Sequence, residues 1–286
     1  MPSLIDIRRR IRSVRNTQQI TKAMKMVSTA RLRRAQDRVL LARPYAGILR
    51  DLVANVAAAA SEDETLGAHP LLASRPEKRV QLVLLTADRG LAGAFNSNLI
   101  KAALQFVRAR PDTAVQIEAI GRKGRDFFRK RGAAISGEHL GLGNQALYAD
   151  IVPVADAIIE RYERQEIDAV YLLYNEFKSI LSQKLAVERV LPVELPRQRR
   201  LVDYIYEQPP RELLEQLLPR YVRVAFYHAL LEATAAEHAA RMTAMDAATT
   251  NAGELIEKLT LYLNRVRQAS ITREIIEVVS GAAAQG

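Results

Sequence analysis

Residues 220–281 read RYVRVAFYHALLEATAAEHAARMTAMDAATTNAGELIEKLTLYLNRVRQASITREIIEVVSG, with no proline after Pro219 and Gly253 the single glycine before Gly281. Val224, Leu231, Ala235, Met242, Met245, Ala252, Ile256, Leu259, Leu263 and Val266 recur at steps of three, four and seven, the spacing of a coiled-coil seam. An uninterrupted helix from Arg220 to Ser280 is about 90 Å long at 1.5 Å per residue. No compact domain of this size contains such a rod. The helix is expected to project, and another element must cover its apolar stripe.

The opposite end of the chain supplies that element. Ser3-Leu4-Ile5-Asp6 is a helix start, Ser3 placed to cap and Asp6 in the first turn. Residues 3–43 hold neither glycine nor proline, so the first helix is expected to run roughly 60 Å. Leu4, Ile7, Ile11 and Val14 form its seam. Gln18 and Thr21 then fall on seam positions, while Ile20, Met24 and Val27 carry the stripe onto a neighbouring face; Leu32, Ala35 and Val39 resume it. Pro44 and Gly47 predict a kink or shift before the small residues Ala57–Ala60, and Ser61-Glu62-Asp63-Glu64 an exposed turn. Two such helices are expected to pack antiparallel as a two-helix coiled coil, because both far exceed the ~10–14 residues of an average globular helix.

Between them the period changes. Arg79–Thr86 is a buried-type strand, followed by the turn Asp88-Arg89-Gly90-Leu91-Ala92-Gly93-Ala94 and a helix to Arg108. Ala114–Ile120 is a second strand, with Gly121-Arg122-Lys123-Gly124 and a helix after it. Ala133–Ser136 is a short third strand, Ala149–Gln165 a helix, and Asp168–Asn175 and Gln183–Val193 two more strands, the last an edge. This order predicts a central Rossmann-like α/β domain with a mainly parallel sheet. The fold class is thus α plus α/β, with an N-terminal coiled-coil helix (1–60), a central domain (61–208) and a C-terminal coiled-coil helix (209–286).

The chain of 286 residues carries a net charge of +10, all of it at one end. Residues 1–58 hold 13 Lys and Arg against 3 Asp, a net of +10; residues 209–286 hold 8 basic and 9 acidic groups. A one-sided basic helix needs an acidic partner: nucleic acid, anionic lipid or an acidic protein surface. Nucleic acid is the poorer fit, because the arginines share their helix with a stripe that the C-terminal helix should cover, leaving them a flank and not a free recognition helix. No apolar run is long enough to cross a bilayer, and neither a secretory signal nor a transit segment is expected at the start. With no cysteine, disulfides and thiolate chemistry are excluded.

Catalytic motifs are missing. The turn after the first strand is not G-x-G-x-x-G, no phosphate-binding G-x-x-x-x-G-K-[ST] occurs, and there is no G-x-S-x-G. His69, His139, His228 and His238 lack metal-ligand spacing; His228 and His238 are expected on or beside the seam. No catalytic residue, cofactor or metal site is expected.

Two motifs, one at each end, carry a resemblance. Ile7-Arg8-Arg9-Arg10-Ile11-Arg12-Ser13-Val14-Arg15-Asn16-Thr17-Gln18-Gln19-Ile20-Thr21-Lys22-Ala23-Met24-Lys25-Met26-Val27 and Ile271-Thr272-Arg273-Glu274-Ile275-Ile276-Glu277-Val278-Val279-Ser280-Gly281-Ala282 resemble the two ends of the gamma subunit of F-type ATP synthase. Arg241-Met242-Thr243-Ala244-Met245-Asp246 and Asp88-Arg89-Gly90-Leu91-Ala92-Gly93 fit the same family, so the resemblance spans the chain. It implies an asymmetric helical shaft inside a ring of alpha and beta subunits. The resemblance likewise implies that the central domain forms a foot that rests on the membrane c-ring and carries the epsilon subunit. The chain would be a non-catalytic rotor that touches the membrane only through the c-ring, at the cytoplasmic face of a bacterial inner membrane. No nucleic-acid partner is expected.

By resemblance, Met24 faces an acidic loop of the beta subunits, and Arg241, Gln268, Thr272 and Glu274 touch those subunits or steady the shaft. Charge alone adds Arg31, Arg33 and Arg34 to the ring-facing set. Ile275 and Val279, with Ile271, Ile276 and Val278, are expected to contact an apolar bearing of the ring. Tyr204 and Glu207 match the segment that meets the c-ring. Lacking cysteines, the chain also lacks the thiol-regulated insertion of the photosynthetic branch.

Overall fold

The computed structural model describes residues 3–59, 69–194 and 207–283. These fall into two compact units, one built from Met1–Ser28 with Met242–Gly286 and the other from Thr29–Arg241. Helix α1 spans Leu4–Ala59 and helix α5 spans Pro210–Ala283, so each unit contains a stretch of both.

In the first unit α1 and α5 pack antiparallel. Ser3 opens α1, its hydroxyl accepting from the Asp6 amide (3.2 Å) while the Asp6 carboxylate accepts from the Ser3 amide (3.3 Å), a reciprocal cap. The seam residues that were expected to be polar are so. Thr21 is buried with its hydroxyl 2.8 Å from that of Thr249, and the Gln18 amide donates to the Thr249 carbonyl at 3.5 Å. Gly253 admits the Gln18 side chain, which would lie 3.1 Å from an added Cβ. A polar pair within an apolar seam specifies register at some cost in stability.

In the second unit the helices lie against a five-stranded sheet of order β3-β2-β1-β4-β5. Strand β1 (Arg79–Leu85) is central and pairs in parallel with β2 (Ala114–Ile120) and with β4 (Ala169–Phe177); β3 (Ile135–His139) adds in parallel to β2 and β5 (Gln183–Leu191) antiparallel to β4. Helices α2 (Phe95–Arg108), α3 (Arg122–Arg129) and α4 (Tyr148–Glu163) are the connections. The unbroken apolar run Leu82–Leu85 is buried because β1 is covered on both faces.

One expectation needs correction. The third strand lies at Ile135–His139, not Ala133–Ser136. Gly137 looks like a strand end in sequence, but it sits opposite Glu118, where a Cβ would come within 1.7 Å of the carboxylate. Glycine is there to admit a side chain, not to stop a strand. Helix α1 continues through Pro44 to Ala59. Val39 before the proline and Leu49, Val53 and Val56 after it are each at most 4% exposed, and burying four such side chains outweighs the roughly 3 kcal/mol that a mid-helix proline costs. Helix α5 likewise runs through Pro219. From Ala229 to Ala236 it is buried on every side, as a helix must be when it is packed between a second helix and a sheet.

Candidate partner-binding surfaces

Register decides which residues of the first unit lack a covering helix. Thr21 faces Thr249 and Lys25 pairs with Asp246 at 2.6 Å, which in an antiparallel pair sets Leu4 opposite Val266. Beyond Ser270 every described side chain of α5 is exposed. Five large apolar side chains share this tail: Ile271, Ile275, Ile276, Val278 and Val279, the exposure reaching 72% at Val278. A contiguous apolar surface of this kind marks a contact with another molecule. Gln268, Thr272 and Glu274 lie at the same end and are exposed; the Thr272 hydroxyl donates to the Gln268 carbonyl (3.0 Å) and the Ser270 hydroxyl to the Glu274 carboxylate (3.3 Å).

Along α1 the charge stands outward. Arg8, Arg9, Arg10, Arg12 and Arg15 are exposed and form no ion pair with the described residues. Met24 is half-buried beside the seam. The surface pair Lys25–Asp246 contributes about 0–1 kcal/mol, so packing and not charge holds the two helices together.

In the second unit Arg31, Arg33 and Arg34 are exposed on α1, while Leu32, Ala35 and Val39 of the same stretch are buried. Arg241 behaves differently from the other candidates. It is only 8% exposed, pairs with Glu237 at 2.7 Å, and donates to the carbonyls of Arg89 (3.3 Å) and Gly90 (3.4 Å). Its guanidinium is therefore committed inside the fold, where it fastens α5 to the turn after β1.

That turn is the one whose glycines invite a nucleotide. Its Asp88 carboxylate accepts from Arg122 N (3.0 Å), at the start of α3, and from Gly141 N (2.9 Å), so those two amides already hold an anionic group. Leu230, Ala233, Thr234 and Glu237 of α5 line the crevice at the carboxyl ends of β1 and β2, facing Thr86, Asp88 and Gly121. A side-chain carboxylate thus stands where a phosphate would. The glycine-rich turn is a socket for the chain's own helix.

His238, next to this socket, is buried, and desolvation together with Arg241 and Arg31 holds its imidazole down to about 4. Below the ordinary 6.5 the unfolded chain takes up a proton that the folded chain refuses, so stability is full above pH 6.5 and is lost as pH falls towards 4. The expected loss is about 3 kcal/mol. Burial pushes the Glu237 carboxyl up, which works in the opposite direction. The pH profile of melting temperature should therefore be compared with that of His238→Gln. The wild type alone should show the extra acid sensitivity; parallel profiles would remove His238 as its origin.

Glu207 is exposed just before α5; Tyr204 lies outside the described residues. Leu41, Tyr45 and Ile48 also stand exposed on α1, a stripe that sequence periodicity did not single out. Buried Glu232 was missed as well, although a lone carboxylate within the apolar run Ala229–Ala236 is a visible signal. Among the described residues no group of His, Asp and Glu is placed to hold a metal ion, and no helix is long and apolar enough to cross a membrane.

Comparison with known proteins agrees with this arrangement. A family described as ATP synthase matches residues 3–285. The chain is 64% identical over 284 residues to the ATP synthase gamma chain of Solibacter usitatus, covering 99% of each. It is 49% identical to that of Pelotomaculum thermopropionicum, again covering 99% of each. Among solved structures, a chain of the Euglena gracilis mitochondrial ATP synthase (OSCP, F1 and c-ring) matches with a TM-score of 0.69 at 19% identity, covering 99% of this chain and 94% of that one. A chain of the Tetrahymena thermophila central stalk and c-ring matches with a TM-score of 0.60 at 22% identity, covering 80% and 99%.

Proposed function

The chain belongs to the ATP synthase gamma-chain family, and from that premise we propose that it is the non-catalytic central rotor coupling the membrane c-ring to the catalytic beta subunits. The observation that carries this reading is the unequal helix pair. Helix α1 is basic and stops at Leu4, while α5 continues past it as an exposed apolar tail. Within a ring of alternating alpha and beta subunits, a shaft with unlike sides meets each beta subunit differently. Each orientation then favours a different conformation at each site, because a partner shifts an equilibrium only through differential contacts. ATP synthesis follows when the c-ring turns the shaft; hydrolysis turns it the other way. No residue of this chain needs to touch the nucleotide.

In this reading Met24, Arg31, Arg33 and Arg34 face the ring from α1, and long-range attraction to an acidic beta-subunit loop is strong without being directional, which suits a sliding surface. Gln268, Thr272 and Glu274 form polar contacts near the tip, and Ile275 and Val279 run in its apolar bearing. Arg241 steadies the shaft through the Gly90 turn. The central domain with Tyr204 and Glu207 meets the c-ring and carries epsilon. The chain is then a peripheral membrane protein on the cytoplasmic side of a bacterial inner membrane.

Rotation tests this directly. Because the chain has no cysteine, Ser179→Cys on the β4–β5 hairpin gives a single attachment point for a bead. With the alpha/beta ring fixed to glass, ATP should drive the bead in one direction with three equivalent pauses per turn. A ring that hydrolyses ATP at its normal rate while the bead only diffuses would end the rotor reading.

A further inference from the structure

Strand β4 is longer than its neighbour. Its residues Ala169–Leu173 pair with β1, but Tyr174–Phe177 run on with only β5 beside them. On the open side the backbone of Phe177 needs a donor and an acceptor, since buried peptide groups are left unpaired only at a cost. Both come from the helices. The Phe177 amide donates to Glu232 Oε2 (2.9 Å), and the Phe177 carbonyl accepts from Arg43 Nη2 (2.8 Å). The circuit closes between the side chains, Arg43 donating to Glu232 through Nε (2.9 Å) and Nη2 (3.2 Å). His228 Nε2 lies 3.3 Å from the same carboxylate. The Glu232 side chain has no exposure at all. A carboxylate on α5 and a guanidinium on α1 together take the place of a missing strand.

We propose that Arg43 and Glu232 form a torsional lock, positioning residues through which the foot's sheet grips both shaft helices so that torque passes between them without slip. This rests on the rotor reading. The argument is one of direction. Around the lock, α5 touches its neighbours through Ala229, Leu230, Ala233 and Ala236, all buried. Contacts between apolar side chains are strong but non-directional, so they oppose separation better than sliding. Hydrogen bonds weaken steeply once bent. A bidentate ion pair tied to both the amide and the carbonyl of one backbone residue resists rotation of either helix against the sheet. Of the polar contacts described, this one alone joins α1, α5 and a strand at a single point. Arg241, by comparison, fastens α5 only to a turn.

The test uses the complete complex in sealed vesicles, with Arg43→Ala, Glu232→Gln and Glu232→Ala in the gamma chain. ATP hydrolysis and proton pumping are measured together, and the angular spread of a rotor-borne probe is measured at its pauses. Hydrolysis should stay within about twofold of wild type while protons pumped per ATP fall about three- to tenfold, the range expected when a coupling element is weakened. The angular spread should widen, and Arg43→Lys should restore part of both. A purely structural role predicts less assembled complex with an unchanged pumping ratio and spread; that result overturns the proposal. If Glu232→Ala does not assemble, Arg43→Ala decides: its side chain is 39% exposed, and Glu232 keeps the Phe177 amide and His228. A wild-type complex that hydrolyses ATP yet pumps nothing defeats the rotor reading instead.

Discussion

Turnover should stop completely when a cysteine replacing Met24 is disulfide-bonded to a cysteine in the facing loop of a beta subunit, and should return when the bond is reduced. The native chain has no thiol, so the introduced one reacts alone. Met24 is half-buried at the side of the seam, with exposed Ala23 and Met26 as its near neighbours, so a cysteine there can be reached without unwinding the helices. If the shaft must present each of its sides to each beta subunit in turn, one covalent tether forbids the cycle, however well nucleotide binds. Hydrolysis and synthesis should both fall to background in the linked complex. The same gamma variant, oxidised without a cysteine on the ring, should keep nearly all its activity. Linked enzyme that still made ATP at the full rate would show that relative rotation at this height is unnecessary.

The largest stability effect is expected at Gly121. It links β2 to α3 with φ at +94°, a region essentially reserved for glycine, and an added Cβ would come within 2.0 Å of the Thr86 carbonyl oxygen. Neither side can yield. The Thr86 amide donates to the Ile120 carbonyl (2.8 Å) and the Gly121 amide to the His139 carbonyl (2.8 Å), so a shift of either strand breaks the sheet's ladder. Gly121→Ala should cost about 3–5 kcal/mol, adding backbone strain to overpacking. Gly47→Ala is the informative contrast. That glycine lies inside α1 with nothing within 4 Å of its added Cβ, so the substitution should stabilise by about 0.5–1 kcal/mol through helix propensity. Denaturant titrations followed by circular dichroism measure both. A Gly121→Ala chain with the wild-type midpoint would mean that the connection can be rebuilt at little cost.

The two substitutions also show where sequence reading reaches and where it stops. Both glycines were visible. Gly47 reads in sequence as part of a kink or shift and Gly121 as a turn residue; the structure leaves the first free to be alanine and makes the second indispensable. Arg241 makes the same point for the candidate surfaces. Sequence left open whether it touches the ring or steadies the shaft; it is buried against the Gly90 turn, where two carbonyls and Glu237 receive it. The third strand was misplaced because the reason for Gly137 lies across the sheet, in Glu118.

What the sequence by itself determined is whatever repeats along the chain: two long amphipathic helices, the order of strands and helices between them, and the basic charge confined to one end. Periodicity and composition are local and additive, so they survive being read one residue at a time. The tertiary structure alone decided the register that leaves Ile275 and Val279 without a covering helix, the packing of α5 against the glycine-rich turn, and the meeting of Arg43 with Glu232 and Phe177. Those depend on groups far apart in the chain coming within about 3 Å of one another, where hydrogen bonds are made or lost. No pattern of spacing within a single segment encodes that distance.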